Sequence, residues 1–127
     1  MPHALVVGYD PEGIPGADGP ALRALLDAEL ARFAAYGVGA DMVLVEYDEH
    51  AEPALAKALA SRAWDVVVIG GGLRKAEPLL PLFEAAVNLV RRHAPQAAIA
   101  FNTSGGDSVE AALRHLPDAP AREESPR

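Results

Sequence analysis

The sequence predicts an α/β fold: a three-layer α/β/α sandwich around a four-stranded parallel sheet of order 2-1-3-4. Three observations lead there. Apolar runs rich in β-branched residues alternate with longer helix-like segments, the spacing that parallel βαβ crossovers require. Prolines recur where the first three helices should begin, at Pro20, Pro53 and Pro78, first-turn positions whose N–H has no helical partner to lose. Finally, the apolar runs differ in continuity, which ranks them from the centre of the sheet to its edges.

"ALVVGYD" (Ala4–Asp10) is apolar until its last residues, as a strand covered on both faces should be. The first helix follows Pro20. Its Leu22, Leu25, Leu26, Leu30 and Phe33 keep a 3.6-residue period, with Arg23, Asp27 and Arg32 outside, and Gly37 and Gly39 end it. "DMVLVEYD" (Asp41–Asp48) carries Glu46 near its end and reads as less central. Leu55, Leu59 and Ala63 mark the second helix, closed by Trp64. "DVVVIG" (Asp65–Gly70) is the most continuous run and the best central strand.

From Pro78 the third helix carries Leu79, Leu80, Leu82, Phe83, Ala86, Val87, Leu89 and Val90. At about 100° per residue they cover an arc of roughly 180°, more than a sheet-covering stripe needs. The excess predicts either contact with a neighbouring helix or a subunit interface, and with it a homodimer. "AAIAFN" (Ala97–Asn102) is a strand of small residues. The fourth helix begins at "DSVE", with Asp107 as N-cap and Glu110 completing a capping-box-like pair. Right-handed crossovers then put the first and fourth helices on one face, the second and third on the other. The fourth strand is left as an open edge, a further reason to expect a dimer.

Residues 1–116 form one domain. The tail, "PDAPAREESPR" (Pro117–Arg127), is proline-rich and charged and is predicted to be disordered. The chain has no cysteine, which excludes disulfides, iron–sulfur clusters, thiolate zinc sites and cysteine nucleophiles. No apolar run approaches the ~20 residues of a membrane helix, and no basic leader precedes the first strand. The default expectation is a cytoplasmic protein. With a net charge of −7, neither nucleic acid nor an anionic membrane is an expected partner.

In such sheets the ligand crevice lies beyond the carboxyl ends of the strands, where strand order reverses. Here that is between the first and third strands. "GYDPEGIPGADGP" (Gly8–Pro20), "GGGLRKAEP" (Gly70–Pro78) and "NTSGGDS" (Asn102–Ser108) converge on it. Gly70, Gly71 and Gly72 allow close approach of a ligand with amides free to meet an anion, and Arg74 adds a planar five-donor fork. The competing reading is a tight corner where a buried strand turns into a helix. Asn102, Thr103 and Ser104 offer hydrogen bonds to an oxygen-rich ligand or to their own loop.

Asp10, Glu12, Asp18, Asp48, Glu49, Glu52, Glu77 and Asp107 give the same rim an acidic character. Such a rim repels a bare anion unless a cation screens it. Asp10 would bind a cationic part of the ligand or a metal. Named motifs do not fit. "GGGLRK" is neither GxGxxG nor the P-loop, and the chain has no GxSxG. "DEHAEP" (Asp48–Pro53) shares its Asp and His with the DxHxxG of cobalamin-binding domains, but Pro53 stands where the glycine belongs.

The order βαβαβαβα with glycine after a central strand resembles the flavodoxin-like and Rossmann-like superfolds. The pairing of "VVVIGGGLRK" with "FEAAVNLVRRHAPQAAIAFNTSGGD" is similar to small bacterial single-domain proteins of that kind, a resemblance that carries no established activity. Receivers of response regulators and flavodoxins themselves do not match. The third strand ends in glycine where a phospho-acceptor aspartate belongs, and "YDPEGIPGAD" is not a hydroxyl-rich phosphate loop.

The leading expectation is a module that holds a small polar or phosphorylated ligand, anionic or nucleotide-like. Gly70–Gly72 and Arg74 would meet its anionic group, Asn102, Thr103 and Ser104 would orient it, and no cofactor is assigned. The alternatives are a metal-assisted enzyme using Asp10 or His50, and a dimeric interaction scaffold built on the third helix with no ligand.

Overall fold

The computed structural model describes residues 1–116, so the expected disordered tail lies outside the described residues. Four parallel strands, β1 (His3–Tyr9), β2 (Gly39–Val45), β3 (Val66–Ile69) and β4 (Ala98–Phe101), form one sheet of order β2-β1-β3-β4. This is the expected order, and it gives the chain an α/β flavodoxin-like fold. Each strand lies within three residues of its sequence-based bounds. β2 differs most: it begins at Gly39 and stops at Val45, before the charged "EYDE".

The helices are α1 (Gly19–Arg32), α2 (Ala51–Ala60), α3 (Gly71–Arg74), α4 (Leu80–His93) and α5 (Ser108–Leu113). The α3 turn is new. The glycine segment, read as a loop, winds into one helical turn before Pro78 opens a 3-10 turn, Glu77–Leu79, that leads into α4. Asp18 caps α1 by accepting the Ala21 N–H at 3.1 Å. Gly37, with φ of 73°, supplies the left-handed residue that turns the chain toward β2.

Successive residues of the two central strands face opposite layers. Leu5, Val7, Val67 and Ile69 pack with α2 and α4, through Leu55, Leu59, Leu82, Ala86, Leu89 and Val90. α2 ends at Ala60 with Ser61 as its cap, short of the expected Ala63, and Trp64 folds back onto it, its indole N–H donating to the Ala58 carbonyl at 3.0 Å. The wide apolar arc of α4 is thus largely absorbed by α2 and the sheet. Leu80, 58% exposed, is the large apolar member left outside. On the other face Ala4, Val6, Val66 and Val68 pack with Phe33, Val38, Ala100 and the α5 residues Val109, Ala111 and Ala112. No described helix is long and apolar enough to cross a membrane.

Candidate functional site

The carboxyl ends of β1 and β3 open into a pocket of about 420 Å³, at the switch point where the sequence places the crevice. It exists because α1 does not finish covering the sheet. Only the C-terminal end of the helix reaches the core, through Leu30 and, just past its last residue, Phe33. Leu22 and Leu26 are half-buried, Leu25 is 47% exposed, and all three line the pocket instead. Met42 and Leu44 from β2, with Ile14 from the loop after β1, extend the same aliphatic wall. Gly70–Gly72, Lys75 and the segment Asn102–Gly105 complete the lining, with Gly105 close against Leu25 and Leu26.

The three glycines answer a packing demand. The Gly70 N–H donates to the Val7 carbonyl at 2.8 Å, continuing the β1–β3 pairing one residue past the strand. A Cβ on Gly70 would stand 3.3 Å from that carbonyl oxygen, and one on Gly72 would stand 3.3 Å from the Tyr9 Cβ. Neither glycine has positive φ, so close approach rather than backbone handedness calls for them. The Gly71 N–H is held by the Asn102 Oδ1 at 2.9 Å. Two of the three amides the sequence offers to an anion are therefore engaged within the protein.

Asn102 is 3% exposed. Besides accepting from Gly71, its Nδ2 donates to the Ser108 Oγ at 2.9 Å. It ties the start of α3 to the start of α5, and both groups would otherwise be buried without partners. Thr103 and Ser104 likewise serve their own loop. Asp107 accepts the Thr103 and Ser104 N–H groups, each at 3.0 Å, and the Thr103 hydroxyl at 2.7 Å. Burial works against ionising Asp107, but the bonds from the Thr103 side chain and the Ser104 and Thr103 amides outweigh it. The carboxyl is held below its ordinary range.

Asp107 does occupy the N-cap position of α5, yet its side chain makes no capping bond there. The cap comes from a distance. Glu29, 5% exposed on α1, accepts the Val109 N–H at 2.9 Å. Arg32 chelates Glu29 at 2.8 and 2.9 Å and reaches Glu110 at 2.9 Å, and that partner holds the Glu110 carboxyl below its usual range. Glu110 is thus an ion-pair partner rather than half of a capping box. The sequence did carry a sign of Glu29. It lies in line with Leu22, Leu26 and Phe33 on the apolar stripe, where a charge needs a buried partner.

The two cations after the glycines part company. Residues one apart on a helical turn differ by about 100° in direction, and α3 imposes that turn. Arg74 folds away from the pocket, its guanidinium 5.3 Å from the centre of the Phe101 ring and donating to the Asn102 carbonyl. Its Nε is buried without a partner. Lys75 lines the pocket, with its Nζ donating to the Thr103 carbonyl. Of the residues the sequence brings to the site, the structure gathers Gly70, Gly71, Gly72, Asn102, Thr103 and Ser104 around the pocket. Arg74 and Asp10 do not line it.

Asp10 accepts the Glu12 N–H at 3.0 Å, which caps the 3-10 turn Pro11–Gly13. With Glu46, Asp48 and His50 it lines a separate depression of about 150 Å³. Among the described residues no three His, Asp or Glu side chains gather in a way that could hold a metal ion. Comparison with models of known protein families gives no match, and a search of curated proteins finds no significant match.

Proposed function

We propose that this chain is a small-molecule-binding module whose ligand occupies the pocket at the carboxyl edge of the sheet, between α1 and the β3–α3 turn. The observation that carries the reading is the unfinished cover. A folded domain gains by burying a leucine stripe, at roughly 25 cal/mol per Å² of apolar surface. Yet Leu22, Leu25 and Leu26 face a cavity of about 420 Å³. Pockets of this size, apolar with a few polar groups on one side, are what small ligands occupy in α/β sheets.

The polar side tells against a demanding phosphate site, since Gly71, Asn102, Thr103 and Arg74 already have partners within the protein. It leaves Lys75 as the charged group at the pocket.

Two measurements on the purified protein test the proposal. Native mass spectrometry of freshly purified material should show a co-purified compound of a few hundred daltons or less, released on denaturation. Leu25→Trp should project a larger ring into the pocket from a half-exposed helix position. It should leave the fold intact by circular dichroism while removing that compound and the binding of an apolar fluorescent probe. Unchanged probe binding in a folded Leu25→Trp protein would place the ligand elsewhere or remove it.

A further inference from the structure

We infer that the ligand is an amphipathic carboxylate: a carboxylate head against Lys75 and an aliphatic body lying along α1. This rests on the small-molecule reading above and names the ligand's class. The head follows from charge. Among the described residues that line the pocket, Lys75 is the one with a charged side chain. Of the acids that the sequence places at the rim, Asp10 and Asp48 line the other depression together with Glu46, and none of the rest lines the larger pocket. A ligand in the larger pocket therefore meets a single positive charge. An ammonium has three donors, and the Thr103 carbonyl takes one. The remaining donors suit a carboxylate, which accepts through two oxygens.

The charge of the head is limited by the same inventory. A phosphate dianion would call for several converging donors. Here the Gly70 and Gly71 amides are directed to Val7 and Asn102, and Arg74 is turned onto Asn102 and Phe101. One ammonium at the surface balances one negative charge.

The body follows from the walls. Leu22, Leu25, Leu26, Met42, Leu44 and Ile14 present methyl and thioether groups. Tyr9 is the aromatic residue at the lining, and it has no second ring opposite it between which a nucleobase could stack. Flexible aliphatic surfaces of this kind fit an alkyl or branched-alkyl chain. Residues 117–127 contain no leucine, isoleucine, valine, methionine or aromatic residue, so that segment has nothing suited to filling the cavity.

The test is a titration of octanoate, octanol and octylammonium, three probes with one body and different heads, followed by calorimetry on wild type and Lys75→Gln. Lys75 is exposed, so the variant should fold. At low salt octanoate should bind about tenfold more tightly than octanol, the range for a charge-assisted bond near the surface. Octylammonium should bind more weakly than either. Lys75→Gln should abolish the octanoate advantage without changing octanol, and raised salt should shrink it in wild type. Equal binding of octanoate and octanol, or an octanoate affinity unmoved by Lys75→Gln, would overturn the carboxylate head and leave the pocket reading standing. Failure of all three probes to bind would overturn both.

Discussion

The two faces of the sheet are made from the same strands, yet one is closed and the other is not. On the α2/α4 face, Leu55, Leu59, Trp64, Leu82, Ala86, Leu89 and Val90 are all buried against Leu5, Val7, Val67 and Ile69. On the α1/α5 face, small residues of β4 and α5 pack close, but α1 meets the sheet only near its C-terminus. Its N-terminal leucines line a pocket instead. A polar triad, Glu29, Arg32 and Glu110, joins α1 to α5 where the closed face uses aliphatic contacts. The difference is one of cover: the closed face buries its leucines in the core, and the open face leaves three of them at a pocket.

That contrast can be broken most forcefully by placing the same charge on each side. Leu89 is 7% exposed on the closed face. Leu89→Glu would bury a carboxylate without a partner and should destabilise by about 3–5 kcal/mol, a large part of the stability of a domain of this size. Leu25→Glu, on the open face, should change stability by less than about 1 kcal/mol. Urea denaturation of both variants reads the difference. Equal losses would mean that α1 is as closely packed as α4.

Next in size is the link between the two central turns. Asn102→Ala leaves the Gly71 N–H and the Ser108 hydroxyl unpaired in a buried place and should cost about 2–3 kcal/mol. Thermal unfolding measures the loss. A change within experimental error would show that these groups find other partners and that the corner does not depend on the asparagine.

The smallest effect concerns pH. The Asp107 carboxyl is depressed below its ordinary value of 3.8 by its loop hydrogen bonds. Its contribution is therefore complete above that value and is lost as pH falls through the lower folded value. Asp107→Asn should remove this part of the acid dependence, flattening the stability profile below about pH 4. An acid limb of the same steepness in both proteins would assign the loss to other carboxylates.

Most of the architecture was legible in the sequence, because the fold depends on features that a one-dimensional pattern carries. "VVVI" can be buried on both faces only as a central strand, and right-handed crossovers then leave few orders. The first helix shows where that legibility stops. The spacing of Leu22, Leu25 and Leu26 reports which side of a helix is apolar, not whether anything covers it. The glycine segment shows a second boundary. Arg74 and Lys75 are equivalent as neighbours after a loop, and only the helical turn Gly71–Arg74 decides which of them meets the pocket. Asn102 and Asp107 were visible as polar groups near the site. Their use in joining α3 to α5 and in ordering a loop depends on contacts between segments distant in sequence or on the path of the loop itself.

Native-state hydrogen exchange, followed residue by residue, tests the division between the faces most directly. Amides in the N-terminal half of α1, from Leu22 to Leu26, should exchange much faster than those of α4 from Leu82 to Val90. Saturating octanoate should slow the first group while leaving the second unchanged. Equal protection in the two helices without ligand, and no response of α1 to it, would contradict an open face built to receive a small molecule.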